Sequence, residues 1–185
     1  MLVPAIKYKN ELNSKFEDLL YSTDMYCLVG YNRSTPYTVP DTSNDRMYPY
    51  FEYAILNDKE ELVGYLKYCI EICTDTVTIL GVISFENKNT NYIGFTSDSK
   101  NPTDLTVAKD VYKLFRDLIA NHRRIEWKAV EGCKAIPAYI SICEKHDGVW
   151  VRHRDVFKDI TGNYRDAYDF EILTYETPRI GGNEK

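Results

Sequence analysis

The chain lacks a surplus of positive charge, a long hydrophobic run and any metal-ligand spacing, and each absence removes a class of function. Its 23 Lys and Arg stand against 28 Asp and Glu, a net charge of −5. That balance argues against a nucleic-acid partner or an anionic membrane surface, both of which require a basic face. The one short basic cluster, His122-Arg123-Arg124, falls at an expected helix C-terminus, where positive charge complements the helix dipole. No apolar run reaches membrane-spanning length and no signal-peptide core is present, so a cytoplasmic setting is expected. Three histidines (His122, His146, His153) share no ligand spacing with the five cysteines, so no metal site is expected. Cys27, Cys69, Cys73, Cys133 and Cys143 are odd in number, form no C-x-x-C pair and mostly sit in apolar runs. Reduced, buried thiols follow from that pattern.

What is present is a chain of 185 residues with 16 Tyr, a residue suited to half-buried sheets because its ring packs while its hydroxyl reaches water. The length fits one domain, expected over residues 1–176, with 177–185 as a disordered tail. Tyr8, Leu12, Phe16, Leu19 and Leu20 share one helical face, which predicts a helix over Pro4–Tyr21. Met25–Tyr31 reads as a strand, and Asn32–Met47, rich in Asn, Ser, Thr, Pro and Asp, as a long loop, either a pocket wall or a plain surface connection.

The centre of the chain is more regular. Tyr48–Leu56, Leu62–Cys73 and Thr76–Glu86 read as consecutive strands joined by the polar turns Asn57–Glu60 and Thr74-Asp75. Gly81 interrupts the bulky run of the third strand, which marks a bulge or a close backbone approach by a ligand. A polar loop, Asn87–Asn101, leads to Pro102 at the first position of a helix ending near Asn121. Ala108, Val111, Phe115, Leu118 and Ile119 form its apolar stripe. A strand Arg123–Gly132, a helix over 134–146, and strands Val149–Phe157 and Tyr164–Tyr175 complete the chain. An antiparallel meander followed by a β-α-β-α-β half is an α/β (α+β) plan with a mixed, mostly antiparallel central sheet flanked by helices.

That order resembles the GNAT (general N-acetyltransferase) superfamily, in particular short bacterial and phage-type GNAT-like proteins. The residues that carry it are Glu61–Leu66 (ELVGYL), Leu80–Phe85 (LGVISF), Ala108–Val111 (AKDV), Val130–Tyr139 (VEGCKAIPAY) and Gly162–Asp166 (GNYRD), leading to Tyr168–Ile172 (YDFEI). The resemblance covers about two thirds of the chain. It implies an acetyl-CoA-dependent transfer of an acetyl group to an amine, the acceptor being a small molecule or a peptide, and it allows a homodimer. It further implies that the backbone at Gly81, Val82 and Ile83 holds the pantetheine arm of the cofactor. Thr106, Val107, Ala108 and Lys109 are then expected at the pyrophosphate, and Tyr139 as the acid that protonates the departing thiolate. Cys133 stands where the superfamily commonly has a cofactor-holding Asn. Glu71 and Glu86 are candidate general bases, with His153 a third; Cys133 has no adjacent His to make it a nucleophile.

Two departures keep other readings open. The loop before the helix has no Gly-x-Gly pair, although small residues let a backbone approach phosphate, and the stretch carries Asp98 and Asp104 beside Lys100 and Lys109. One alternative is therefore a non-catalytic GNAT-fold module serving as a binding or interaction protein. Another is an unrelated α/β binding domain, in which Thr76–Glu86 and Arg123–Gly132 would enclose no cleft.

Overall fold

The structure, a computed structural model, describes residues 1–19, 36–41, 49–85, 102–133, 136–158 and 162–174, with 102–107 as backbone only. Seven strands form one sheet. In chain order the elements are β1 (Leu2–Pro4), a 3-10 turn (Ala5–Tyr8), α1 (Lys9–Leu19), β2 (Tyr50–Leu56), β3 (Leu62–Glu71), β4 (Thr76–Ser84) and α2 (Pro102–Asn121). They continue with β5 (Arg124–Val130), α3 (Ile136–Lys145), β6 (Val149–Lys158) and β7 (Tyr164–Leu173). The spatial order is β1-β2-β3-β4-β5-β7-β6, antiparallel throughout except for β4 and β5, which run parallel.

The expected helix over Pro4–Tyr21 is corrected at its start. Leu2–Pro4 pairs with Tyr53–Ile55 as an edge strand, and the helix begins at Lys9. Pro4 is tolerated there because an edge residue need not donate to the ladder. Three residues are too few to show a period, so this strand left no sequence signal. The expected strand Met25–Tyr31, most of the Asn32–Met47 loop, the Asn87–Asn101 loop and the 177–185 tail lie outside the described residues.

Two apolar layers sandwich the sheet. On one face, Leu12 and Phe16 of α1 pack on Ala54, Leu56, Tyr65 and Ile83. The spacing of four between Leu12 and Phe16 stacks them on one side of the helix. On the other face, Val111, Phe115 and Leu118 of α2 and Cys143 of α3 pack on Ile55, Leu66, Val77, Ile125, Trp127 and Phe170. Asp75 anchors the far end of α2. Its carboxylate accepts from His122 Nδ1 at 2.8 Å and from the Arg123 N–H at 2.9 Å, which fixes the step into β5.

A further carboxylate, Asp166 of β7, organises the sheet edge. Between His153 and Phe157, β6 carries two residues more than its partner, and Asp155 has φ +52°. Asp166 closes this bulge by accepting from the Asp155 N–H at 3.0 Å and from the Arg152 guanidinium. The Asp155 N–H, followed by Arg152, holds the Asp166 carboxyl below the usual carboxylate range. A depressed folded-state pKa stabilises above the ordinary value, and that contribution is lost as pH falls through the depressed one. Asp166→Asn should therefore have a lower Tm than the parent at pH 7. The gap should narrow as both are melted at successively more acidic pH.

Candidate functional site

The site arises where a strand pair stops pairing. β4 and β5 are hydrogen-bonded from Thr76↔Arg124 to Ile79↔Trp127 and no further. Beyond that point β4 stays paired to β3 as far as Ser84↔Gly64, and β5 to β7 as far as Val130↔Ala167. The two strands thus part like a wedge, with Ile79 and Trp127 at its vertex. A bulge sits beside the vertex: Lys67 pairs with Gly81 but Tyr68 with Ile79, so Leu80 is the extra residue. Such a bulge bends its strand and sharpens the local twist.

A narrow cleft occupies this wedge on the side of α2 and α3. Ile79, Val82, Val111, Phe115 and Ile142 give it hydrocarbon walls, and Gly81, Trp127, Lys128, Cys133 and Tyr139 complete the lining. A narrow, mostly apolar cleft with a few polar groups is the usual form of a small-ligand site. Among the described residues, β4 at Gly81, Val82 and Ile83 makes no ladder pair on the β5 side, where the cleft opens. Tyr139, on the second turn of α3, sets its ring edge-on to Trp127 at 5.9 Å and to Phe170 at 5.4 Å. Cys133 is buried, and its carbonyl accepts the Ile136 N–H at 3.3 Å where α3 begins.

Of the residues singled out from the sequence, Gly81, Val82, Cys133 and Tyr139 are thus brought together. Ile83 follows on β4, but its side chain belongs to the α1 layer. Glu71 is elsewhere. It pairs with Thr76 at the closed end of the wedge and accepts from Thr74 Oγ1 at 2.8 Å, so a role as base in the cleft is corrected. Alternation within a strand shows which face a residue takes, not which end of the sheet opens. Glu86 lies outside the described residues. His153, at the sheet edge, sits with Nε2 at 3.4 Å from Asp169 Oδ2 and is not part of the cleft lining.

The expected pyrophosphate cradle at Thr106, Val107, Ala108 and Lys109 is corrected too. With α2 starting at Pro102, only its first four N–H positions, counted from the capping residue, lack intrahelical partners, and proline has no N–H. Within the helix the available donors are those of Thr103 and Asp104, since the Leu105 N–H makes the first intrahelical bond. The N–H groups of 106–109 are used inside the helix; Ala108 faces the core and Lys109 faces solvent.

Sequence reading missed a half-buried polar quartet on the α1 face. Glu52 accepts from the Tyr37 hydroxyl at 2.7 Å and the Tyr65 hydroxyl at 2.8 Å, with Lys67 Nζ at 3.2 Å. Lys67 also donates to the Tyr37 oxygen at 2.7 Å and lies over the Tyr37 and Tyr50 rings. Burial pushes both phenols up, so they stay protonated as donors. The only sequence signal was a Glu and a Lys on two strands that prove to be directly paired. Glu52→Ala should cost about 2 kcal/mol by taking the acceptor from the Tyr37 and Tyr65 hydroxyls and the counter-charge from Lys67. A urea melt would show it, and Lys67→Met in the same chain should recover part of the loss.

No family model matches the sequence, and no curated protein matches it. The fold is that of the GNAT superfamily of acetyltransferases, as solved structures show. One is a probable GNAT-family acetyltransferase from Chromobacterium violaceum (TM-score 0.52, 15% identity, covering 94% of this chain and 81% of that one). Another is the spermidine/spermine N-acetyltransferase SpeG from Vibrio cholerae in complex with manganese ions. Its TM-score is 0.50 at 14% identity, over 94% of this chain and 91% of that one.

Proposed function

We propose that this chain is an acetyl-CoA-dependent N-acetyltransferase that passes the acetyl group directly to an amine within a ternary complex. The observation that carries the reading is the apolar cleft opened between β4 and β5, with Tyr139 on its wall. Acetyl-CoA would supply an activated acyl thioester. The chain's own residues do the rest. The unpaired β4 backbone at Gly81, Val82 and Ile83 holds the extended arm by peptide-like hydrogen bonds, and the hydrocarbon walls exclude water from it. The N–H groups of Thr103 and Asp104 offer a helix N-terminus to the phosphates. Tyr139 gives its hydroxyl proton to the departing sulfur, and Cys133 packs beside the arm. Glu86, just past the described end of β4, is the carboxylate placed by sequence to take the proton of the amine.

The Vibrio cholerae protein is a spermidine/spermine N-acetyltransferase; for this chain the proposal extends to an amine acceptor, small molecule or peptide. The exposed Val149, Val151 and Val156 of edge strand β6 support a second copy of the chain as homodimer partner. A loop without a Gly-x-Gly pair favours a second reading, a GNAT-fold binding module without catalysis. Isothermal titration with acetyl-CoA tests the first: saturable heat is expected, and none at millimolar ligand would leave only the binding module.

A further inference from the structure

Trp127 sits at the vertex of the wedge, the last residue of β5 to pair with β4. Its side chain is held from several directions. The ring stacks on Phe170 (5.2 Å, 8° between planes), and Phe115 and Tyr139 meet it at 5.2 Å and 5.9 Å. The residue is 4% exposed and lines the cleft. Yet its indole Nε1 is buried with no hydrogen-bond partner among the described residues. A buried indole N–H almost always finds a partner, and leaving one without is destabilising. An indole N–H donates and cannot accept. Whatever completes it must therefore present an acceptor, which a hydrocarbon chain and a protonated amine do not.

We infer that the Trp127 indole N–H is the donor for a carbonyl oxygen of the acylated pantetheine arm, either the thioester carbonyl or the nearest arm amide. The inference rests on the proposed function and adds a residue that sequence alone did not suggest. The three ring contacts hold the indole in place, and because Nε1 is closed off in this state, an arriving carbonyl must part the cleft walls to reach it. Trp127 thereby positions the arm at the narrow end of the wedge, within the same aromatic group as Tyr139.

The chain has two tryptophans, Trp127 and Trp150, so protein labelled with ¹⁵N at tryptophan gives two indole N–H signals, assigned by the half-exposed Trp150→Phe. Adding acetyl-CoA should move the Trp127 signal downfield and slow its exchange with solvent, leaving that of Trp150 in place. Free CoA, which lacks the acyl carbonyl, separates the two sources. A shift with acetyl-CoA alone assigns the thioester carbonyl, and a shift with both assigns an arm amide. Trp127→Phe should bind acetyl-CoA about tenfold more weakly by calorimetry, as expected for one lost hydrogen bond. Saturable heat with an unmoved Trp127 signal overturns the inference and leaves the proposed function standing. No heat at millimolar acetyl-CoA removes both.

Discussion

Tyr139→Phe should lower turnover with acetyl-CoA by about a hundredfold or more, while the Kd for acetyl-CoA stays within about a factor of two. The substitution deletes one oxygen and keeps the ring. The edge-on contacts with Trp127 and Phe170 are ring contacts, so the packing of α3 against the sheet survives. A hydroxyl whose work is to protonate a leaving sulfur acts in the transition state, so its loss appears in kcat and not in binding. A Tyr that only packs would lose its hydroxyl with no change in turnover. Stopped assays under saturating acetyl-CoA, with a thermal melt to confirm folding, separate the two. Unchanged turnover in a folded Tyr139→Phe would remove this residue from the chemistry. Failure of Trp127→Phe to bind would not do so, since that variant is read in affinity.

The parts of this architecture that were legible in the sequence are those with a short period. β3, β4 and the helix stripe Ala108, Val111, Phe115 and Leu118 could be placed because alternation and three-to-four spacing are local, and polar turns bound them. The position of Gly81 beside the bulge was visible for the same reason, since a small residue in a bulky strand breaks a local pattern. The cleft itself was not legible in detail. It depends on where β4 and β5 cease to pair, a contact between residues about fifty positions apart with α2 between them. Hence Glu71, on a central strand, was an equal candidate to any residue at the open end until the register put it at the closed one. Trp127 carried no signal in the sequence, because an unpartnered nitrogen is a property of surroundings and not of spacing. The helix start at Pro102 was read from local signals, but its consequence for Thr106–Lys109 follows only from counting donors along the helix.

Gly148→Ala should be among the most damaging single-methyl additions to the described chain, at about 3 kcal/mol of stability. Gly148 ends the turn after α3. Its N–H reaches the Cys143 carbonyl at 2.7 Å, the Asp147 N–H reaches that of Glu144 at 3.4 Å, and Asp147 takes φ +52°. This pairing of backbone bonds closes the helix and turns the chain into β6. A Cβ on Gly148 would stand 2.5 Å from the Glu171 carbonyl oxygen, 2.9 Å from Ile172 Cγ1 and 3.2 Å from the Cys143 carbonyl. Two of those three atoms are backbone, so no rotamer change relieves the overlap, and α3 must lift from β7. Gly132→Ala makes a useful contrast. There φ is +96° and the nearest atom to a new Cβ is Arg165 Nη1 at 3.9 Å, so the cost is conformational, about 1–2 kcal/mol, with no collision. The denaturant midpoint should fall further for Gly148→Ala than for Gly132→Ala, with the slope unchanged in both. Because Phe170 of β7 holds the ring of Tyr139, lifting α3 also loosens the cleft wall. Gly148→Ala should then lose acetyl-CoA affinity even at temperatures where it remains folded, whereas an equal midpoint for the two variants would show that the turn yields without moving the helix.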